Sequence, residues 1–492
     1  MAVRAPELAA PGGAWINTPA PLTLAALRGR IVVLDFWTGC CVNCLHLLPA
    51  LAKLEAAFPR DVVVVGIHSP KFPHEREPAV ARDAVARLGI THPVLHDPDR
   101  HLWNQYAVRA WPTLVFVDPN GYVLGQASGE PEPAALLGTI GRMVRAAAKL
   151  GDMQPADLEL LAAPAPPTRF RYPGKIRPIP GRAGSAACWA LADAGHHQVV
   201  LLDDAGAVVA RIGSGVAGAQ DGAALRACFR DPQGVAADAE AIWVADTGNH
   251  LIRRVDLATG EVTTAAGTGL RGGALGDAGP ALETALASPW DLVPYGGGIL
   301  FANAGTHQLG ALDPVGGVVE RLAGTGVEHL RDGPAADAML AQPSGLALDG
   351  ARLFFADSET SAVRVLDLDV MEVTTLAGTG LFDHGARNGP LAQAQFQHPL
   401  GVGMLGEHTL LVADSYNDRV RVVDLWEDTV ADLDSGFTCR DRLCLPDGGE
   451  PAGVCADPRA PAGDPRILVV ETTRHRILEI RPARRSYRTW AE

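Results

Sequence analysis

Three cysteines crowd into five positions of a 492-residue chain, within Thr38-Gly39-Cys40-Cys41-Val42-Asn43-Cys44. Cys41 and Cys44 have the Cys-x-x-Cys spacing of a redox dithiol, which closes a disulfide across one helical turn. The run before them, Ile31-Val32-Val33-Leu34-Asp35-Phe36-Trp37, reads as a buried strand. The residues after them, Leu47, Leu48, Leu51, Leu54 and Phe58, have helical spacing. The cysteines therefore open a helix, where the partial positive charge of its N-terminus favours a thiolate on Cys41. No second Cys/His pair with clear ligand spacing accompanies them, so dithiol exchange is preferred to a zinc site. Cys40 is either an extra resolving thiol or a residue filling the place of a larger side chain. A Cys40–Cys41 bridge would be strained.

The elements that position these thiols alternate. Arg30–Trp37 and Val62–Ile67 read as strands, Cys44–Phe58 and Glu75–Leu88 as helices. Pro93–His96 is a short strand, followed by a helical turn through Trp103 and Tyr106. Thr113–Asp118 and Tyr122–Ala127 form a hairpin on Asp118-Pro119-Asn120-Gly121, and Pro133–Lys149 closes as a helix. This pattern predicts an α/β sheet covered on both faces over residues 1–150.

The pattern changes near Gly151. Residues 151–167, ending in Ala162-Ala-Pro-Ala-Pro-Pro167, read as a proline-rich linker. Beyond it a repeat begins. Five units open alike, at Asp231-Pro-Gln-Gly-Val235, Ser288-Pro-Trp-Asp-Leu292, Gln342-Pro-Ser-Gly-Leu346, His398-Pro-Leu-Gly-Val402 and Glu450-Pro-Ala-Gly-Val454. Each continues into an apolar strand ending in Asp246, Asn303, Asp357, Asp414 or Glu471, at spacings of 54 to 57 residues. Asp193 marks a sixth, degenerate unit that starts near Phe170. Four short strands per unit and six units predict a six-bladed β-propeller over residues 168–492. The sixth unit has its own fourth strand near Tyr487–Ala491, so no strand need be borrowed to close the ring. Recurrence of His197, His250, His307 and His475, and of Arg253, Arg364 and Arg421, points to turn and blade architecture rather than chemistry. Cys439 and Cys444 lie in an irregular stretch, either a second thiol site or a surface loop with two incidental thiols.

Ile242-Trp-Val-Ala-Asp-Thr-Gly-Asn-His250 followed by Leu251-Ile-Arg-Arg-Val-Asp256 resembles an NHL repeat. Cys40-Cys41-Val42-Asn43-Cys44-Leu45-His46, ahead of such repeats, makes nearly the whole chain similar to the NHL repeat-containing protein 2 family. The resemblance implies a multidomain fold: an α/β thioredoxin-like domain followed by an all-β six-bladed NHL propeller. It also carries over thioredoxin's site. Asp35, six residues before Cys41, matches the buried acid that takes or relays the proton of the second cysteine, Cys44. Pro49 matches the helix-kinking proline. Trp111-Pro112-Thr113 matches the cis-proline loop that faces the cysteines and pairs with substrate backbone. Cys40 replaces a tryptophan, Val42-Asn43 replaces Gly-Pro, and no lysine partner for the acid is identifiable. Vertebrate members carry a further C-terminal region, whereas this chain is read as ending with its sixth blade.

The reading that follows is a thiol–disulfide oxidoreductase using Cys41 and Cys44, with Asp35 and Pro112 in support and Cys40 and Trp111 as accessory candidates. It needs no bound cofactor and no metal. Its partners are proteins with thiols or disulfides. A net charge of −14 argues against nucleic acid. With no apolar run long enough for a secretory signal or a membrane span, the cytoplasm is the expected location. The propeller would dock the partner or restrict access, and the short linker predicts a fixed interface with Cys41 facing a cleft. Two other readings compete. One is a non-catalytic interaction scaffold. The other is a metal-dependent hydrolase or lyase in the propeller channel, for which Asp291 is the main polar residue on the inner strands. A peroxidase is disfavoured, because Leu34 stands where that chemistry's proline belongs, although Thr38 fits.

Overall fold

The computed structural model describes residues 3–161, 167–181, 187–433, 438–439, 442–443 and 448–492. The chain forms two compact units, Met1–Pro166 and Pro167–Glu492. The prolines of the predicted linker between 162 and 166, and the side chains of Cys439 and Cys444, lie outside the described residues.

The first unit holds the strands β1 (Val3–Arg4), β2 (Trp15–Ile16), β3 (Ile31–Trp37), β4 (Val62–His68), β5 (Val94–His96), β6 (Thr113–Val117) and β7 (Tyr122–Ser128). Its helices are α1 (Val42–Ala57), α2 (Pro78–Arg87), α3 (His101–Gln105) and α4 (Pro133–Leu150). The sheet order is β1-β7-β6-β3-β4-β5-β2. β3 is parallel to β4 and antiparallel to β6, so the strand leading to the cysteines is central. Buried on both faces, it is apolar at nearly every position. Ile31 and Val33 pack with Leu47, Leu51 and Leu54 of α1 and Leu136 and Ile140 of α4. Val32, Leu34 and Phe36 face the opposite core with Leu102 and Trp103. β1 and β2 are edge strands of two residues, too short to show a period of two in the sequence. Residues 152–161, read as the start of the linker, are held on this unit. Gln154 N–H donates to Gly29 O, Leu161 N–H to Asn17 O, and Leu158 packs on the core.

The second unit is a six-bladed propeller of antiparallel sheets. In its first blade the strands are Pro173–Pro178, Trp189–Asp193, Gln198–Leu202 and Val208–Ile212. In its last they are Pro451–Ala456, Ile467–Glu471, Arg476–Arg481 and Ser486–Ala491. That last blade is complete within its own repeat, as predicted. Blades two to five gain a fifth strand of two residues from the crossover, such as Gly279–Pro280, which the four-strand plan missed.

One latch recurs at every blade junction. His197, His250, His307 and His475 have left-handed backbones, with φ of 55 to 57°. Each Nδ1 accepts a backbone N–H from the start of the next blade: Asp231, Ser288, Gln342 and, across the closing seam, Tyr172. Ser361 and Asp418 do the same toward His398 and Glu450. Glycine would adopt this backbone more easily, but it has no acceptor to offer. The repeated histidines thus have the architectural role expected of them. The repeated arginines do too: Arg253, Arg364 and Arg421 are fully buried and paired with Asp246, Asp357 and Asp414 at 2.8–2.9 Å.

Candidate functional site

Cys41 is the N-cap of α1, and its carbonyl accepts the N–H groups of Cys44 and Leu45 at 3.0 and 3.2 Å. This places both thiols at the start of the helix, within hydrogen-bonding reach of one another. The strand ends at Trp37 and the helix begins at Val42, so the loop between them is four residues long and leaves the cysteines little freedom. Cys41 Sγ lies 4.0 Å from the carbonyl oxygen of Trp111, and the Trp111–Pro112 peptide is cis. Cys41, Cys44, Trp37, Ala84 and Val85 form one apolar cluster, with Leu48 and Trp111 against it. That cover leaves only 9% of Cys41 accessible, against 1% for Cys44.

Burial dominates the electrostatics of the second thiol. It pushes Cys44 well above an ordinary thiol, with further upward contributions from its hydrogen bond to Cys41 and from the charges of Cys41 and Asp35. Asp35 is itself buried on β3, with neither carboxylate oxygen hydrogen-bonded within the protein. Desolvation raises its pKa to about 7, opposed by His92. Cys44 thus keeps its proton until an acceptor takes it, and Asp35 is an acid whose charge changes near neutrality.

That position carries a stability cost with a definite sign. The folded pKa of Asp35 lies above the unfolded value, so the cost is absent below about pH 4 and develops as pH rises to about 7. Asp35→Asn is expected to leave stability unchanged at pH 4 and to add up to about 4 kcal/mol above pH 7. Urea unfolding of both proteins at the two pH values checks this; an equal difference at both would show that charge is not the cause.

A second buried acid was not anticipated. Glu75, read as the first residue of a helix, lies instead in a 3-10 turn, Pro73–Arg76, that precedes α2. Its Oε1 accepts the Thr38 hydroxyl and the Gly39 N–H, and its Oε2 accepts the N–H groups of Lys71 and Phe72. Cys40 Sγ is 3.7 Å from Oε2. Glu75 therefore clamps the loop that carries the cysteines, and Cys40 belongs to that clamp. The only sequence cue was a Pro-His-Glu-Arg run, which any helix start could show. His46, two residues after Cys44, pairs with Glu130 at 3.2 Å.

The propeller channel assembles differently. Lys175 is buried, and its Nζ donates to the carbonyls of Leu400 and Ala452, tying three inner strands together. Burial lowers its pKa to about 8, with Asp291 opposing. Asp291 Oδ2 accepts Arg177 Nη2 and the Leu346 N–H, both at 3.0 Å, and Oδ1 accepts the Leu292 N–H. Its carboxylate thus accepts three hydrogen bonds within the propeller, which fix its orientation. Beside Arg177 a cavity of about 290 Å³ is lined largely by apolar groups, among them Leu292, Val293, Met404 and Cys455.

Comparison with known proteins agrees with both halves. The profile of the AhpC/TSA family matches residues 2–125, and that of the NHL repeat residues 229–254. Thiol-disulfide oxidoreductase ResA of Geobacillus thermodenitrificans is 28% identical over 103 residues, 20% of this chain and 55% of that protein. The solved structure of a thioredoxin-like superfamily protein, at 30% identity and a TM-score of 0.28, covers 29% of this chain and 97% of its own. The thioredoxin-like domain and the similarity to this oxidoreductase support a redox role in general. NHL repeat-containing protein 2 of Gallus gallus is 35% identical over 508 residues, 94% of this chain and 68% of its own length. With a thioredoxin-like domain, NHL repeats and that similarity over almost its whole length, the chain belongs to the NHL repeat-containing protein 2 family.

Proposed function

We propose that this protein is a cytoplasmic thiol–disulfide oxidoreductase, working on protein partners through Cys41 and Cys44, with its propeller docking the partner or restricting access. The observation that supports it best is the stacking of parts at one point. A thiol at a helix N-terminus lies 4.0 Å from the cis-proline loop, above a buried second thiol and a buried acid. Cys41 as thiolate attacks a partner disulfide, and one partner sulfur leaves. Pro112 and the Trp111 carbonyl hold the partner's backbone beside it. Cys44 passes its proton to Asp35 and attacks Cys41, forming the Cys41–Cys44 disulfide and releasing the second sulfur as a thiolate. The partner gains two electrons and the dithiol loses them, so neither metal nor bound cofactor is required. Nucleic acid and membranes have no part in this scheme.

The test equilibrates the full chain with glutathione buffers and maps disulfides by mass spectrometry. A Cys41–Cys44 disulfide with a midpoint in the range of roughly −270 to −120 mV is expected, the span of dithiol proteins of this fold. If no such disulfide forms anywhere in that range, the reading is wrong. A second reading, an interaction scaffold, is favoured by the propeller's use of its repeated arginines, acids and histidines as internal fastenings. On that reading a Cys41→Ser/Cys44→Ser protein retains all its partners.

A further inference from the structure

Two buried nitrogens approach one glycine, and a buried acid stands on the strand beside it. Asp35 stands opposite Gly66 in the parallel pairing of β3 with β4. Val33 and Val64, two residues before each, pack on the α1 side of the sheet, so Asp35 and Gly66 belong to that side as well. A Cβ on Gly66 would lie 2.9 Å from Trp37 Nε1, 3.0 Å from Val94 Cγ2 and 3.4 Å from His92 Nε2. Neither of these nitrogens has a hydrogen-bond partner within the protein, and neither has either oxygen of Asp35. Trp37 and Asp35 are 1% exposed and His92 4%. Two unpartnered nitrogens beside Gly66 and an unpartnered carboxylate on the strand paired with it are rare in a packed interior. A site that is polar on several sides is where buried water is held.

His92 also has a way out. Its Nδ1 lies 3.4 Å from Glu55 Oε2, further along α1, and Glu55 is partly exposed. Neutral His92 donating Nδ1–H to Glu55 turns the lone pair of Nε2 toward Gly66. Glu55 thus sets the direction in which His92 accepts. Other ionisable groups near by are Cys41 and Cys44 from the start of α1, Glu75, and His68 from β4, which lies 3.9 Å from Glu75 and which burial keeps neutral with a pKa of about 3. His68 is hydrogen-bonded to His96 at 3.0 Å.

We propose that Gly66 holds a bridging water through which Asp35 exchanges its proton with His92, and that His92 passes it by way of Glu55 to solvent. This rests on the dithiol reading given above. When Cys44 resolves a mixed disulfide, its proton goes to the Asp35 carboxylate. The Cys44–Cys41 bond forms, the Cys41–partner bond breaks, and the electron pair leaves with the partner sulfur. The neutral Asp35 then gives its proton through the water to Nε2, and the imidazolium releases its Nδ1 proton at Glu55. His92 supplies the function for which no lysine partner is identifiable.

The experiment follows single turnover of the full chain with a small aromatic disulfide between pH 5.5 and 9, and separately the alkylation of Cys41 by iodoacetamide. In His92→Gln the resolving step is expected to slow by about tenfold at pH 7. Its pH midpoint should move upward, because His92 lowers the Asp35 pKa. Glu55→Gln keeps the fold and the hydrogen bond, and should shift the same profile in the same direction by less. Cys41 alkylation should stay within about twofold of the parent in both. If both variants resolve at the parent rate with the parent pH midpoint, the relay is overturned while the dithiol reading stands. If the parent itself shows no Cys41-dependent turnover, the dithiol reading falls and the relay with it.

Discussion

Cys44→Ser is expected to stop turnover and to leave the protein joined to its partners through Cys41. The reason is the division of labour between the two thiols. Cys41 sits at the helix N-terminus beside the cis-proline loop, whereas Cys44 is covered and held protonated. Removing Cys44 leaves attack intact and abolishes escape, so mixed disulfides accumulate. Non-reducing gels of a Cys44→Ser protein should show adducts that disappear with dithiothreitol. Cys41→Ser should reduce disulfide turnover to the uncatalysed background and form none of these adducts. Cys40→Ser is expected to keep turnover, because Cys40 lies in the Glu75 clamp rather than beside Trp111. Adducts that persist in Cys41→Ser would assign the nucleophile elsewhere.

Arg364→Ala should destabilise the propeller by about 3–5 kcal/mol. Its guanidinium donates to Asp357 at 2.9 Å, to Asp332 at 2.8 Å and to the carbonyls of Met339 and Arg331. Both Arg364 and Asp357 are completely buried, so loss of one strands the other. Lysine has no planar fork, and Arg364→Lys should recover little. Blade three shows how the pair can be dispensed with. There Asn303 replaces the aspartate, Gly310 stands at the arginine's position, and a Cβ on Gly310 would strike the Phe301 ring. Asn303 Oδ1 still accepts the Ala287 N–H, and its amide donates to Thr306. Adding Asp357→Asn to Arg364→Ala is therefore expected to restore part of the loss. Thermal melts of the three proteins decide it: strictly additive losses would mean that the stranded charge is not the source.

The legible parts of this chain were those with a period or a fixed spacing. β3 and α1 announce themselves by runs of apolar residues that any packing partner would require. The propeller repeats the same strand-turn-strand signal at each blade, so even the degenerate first unit could be placed by counting back from Asp246. What escaped was contact between polar residues far apart in sequence. Glu75 reaches a loop 35 to 37 residues away, and His92 reaches Glu55 at a separation of 37. No local pattern marks such pairs, because each residue is ordinary in its own segment. Lys175 was missed for the same reason: a lysine near a blade start reads as solvated, whereas two carbonyls 225 and 277 residues away hold it inside.

The latch that joins the last blade to the first differs from the three other histidine latches in the length of chain it closes. His475 reaches Tyr172 across 303 residues, whereas His197 reaches Asp231 across 34. A ninefold longer loop costs about 2 kcal/mol more to close, since the entropy grows only with the logarithm of length. Asp204 offsets this, receiving Arg459 and Arg466 at 2.8 Å from the final blade. Since no strand is shared between the two ends of the propeller, nothing in the ring itself requires this blade to be the first. A circular permutant with new termini at the Gly-Thr-Gly turn after Ala323 and a peptide joining the old ends would form the same ring, and the seam most prone to open would travel with the termini.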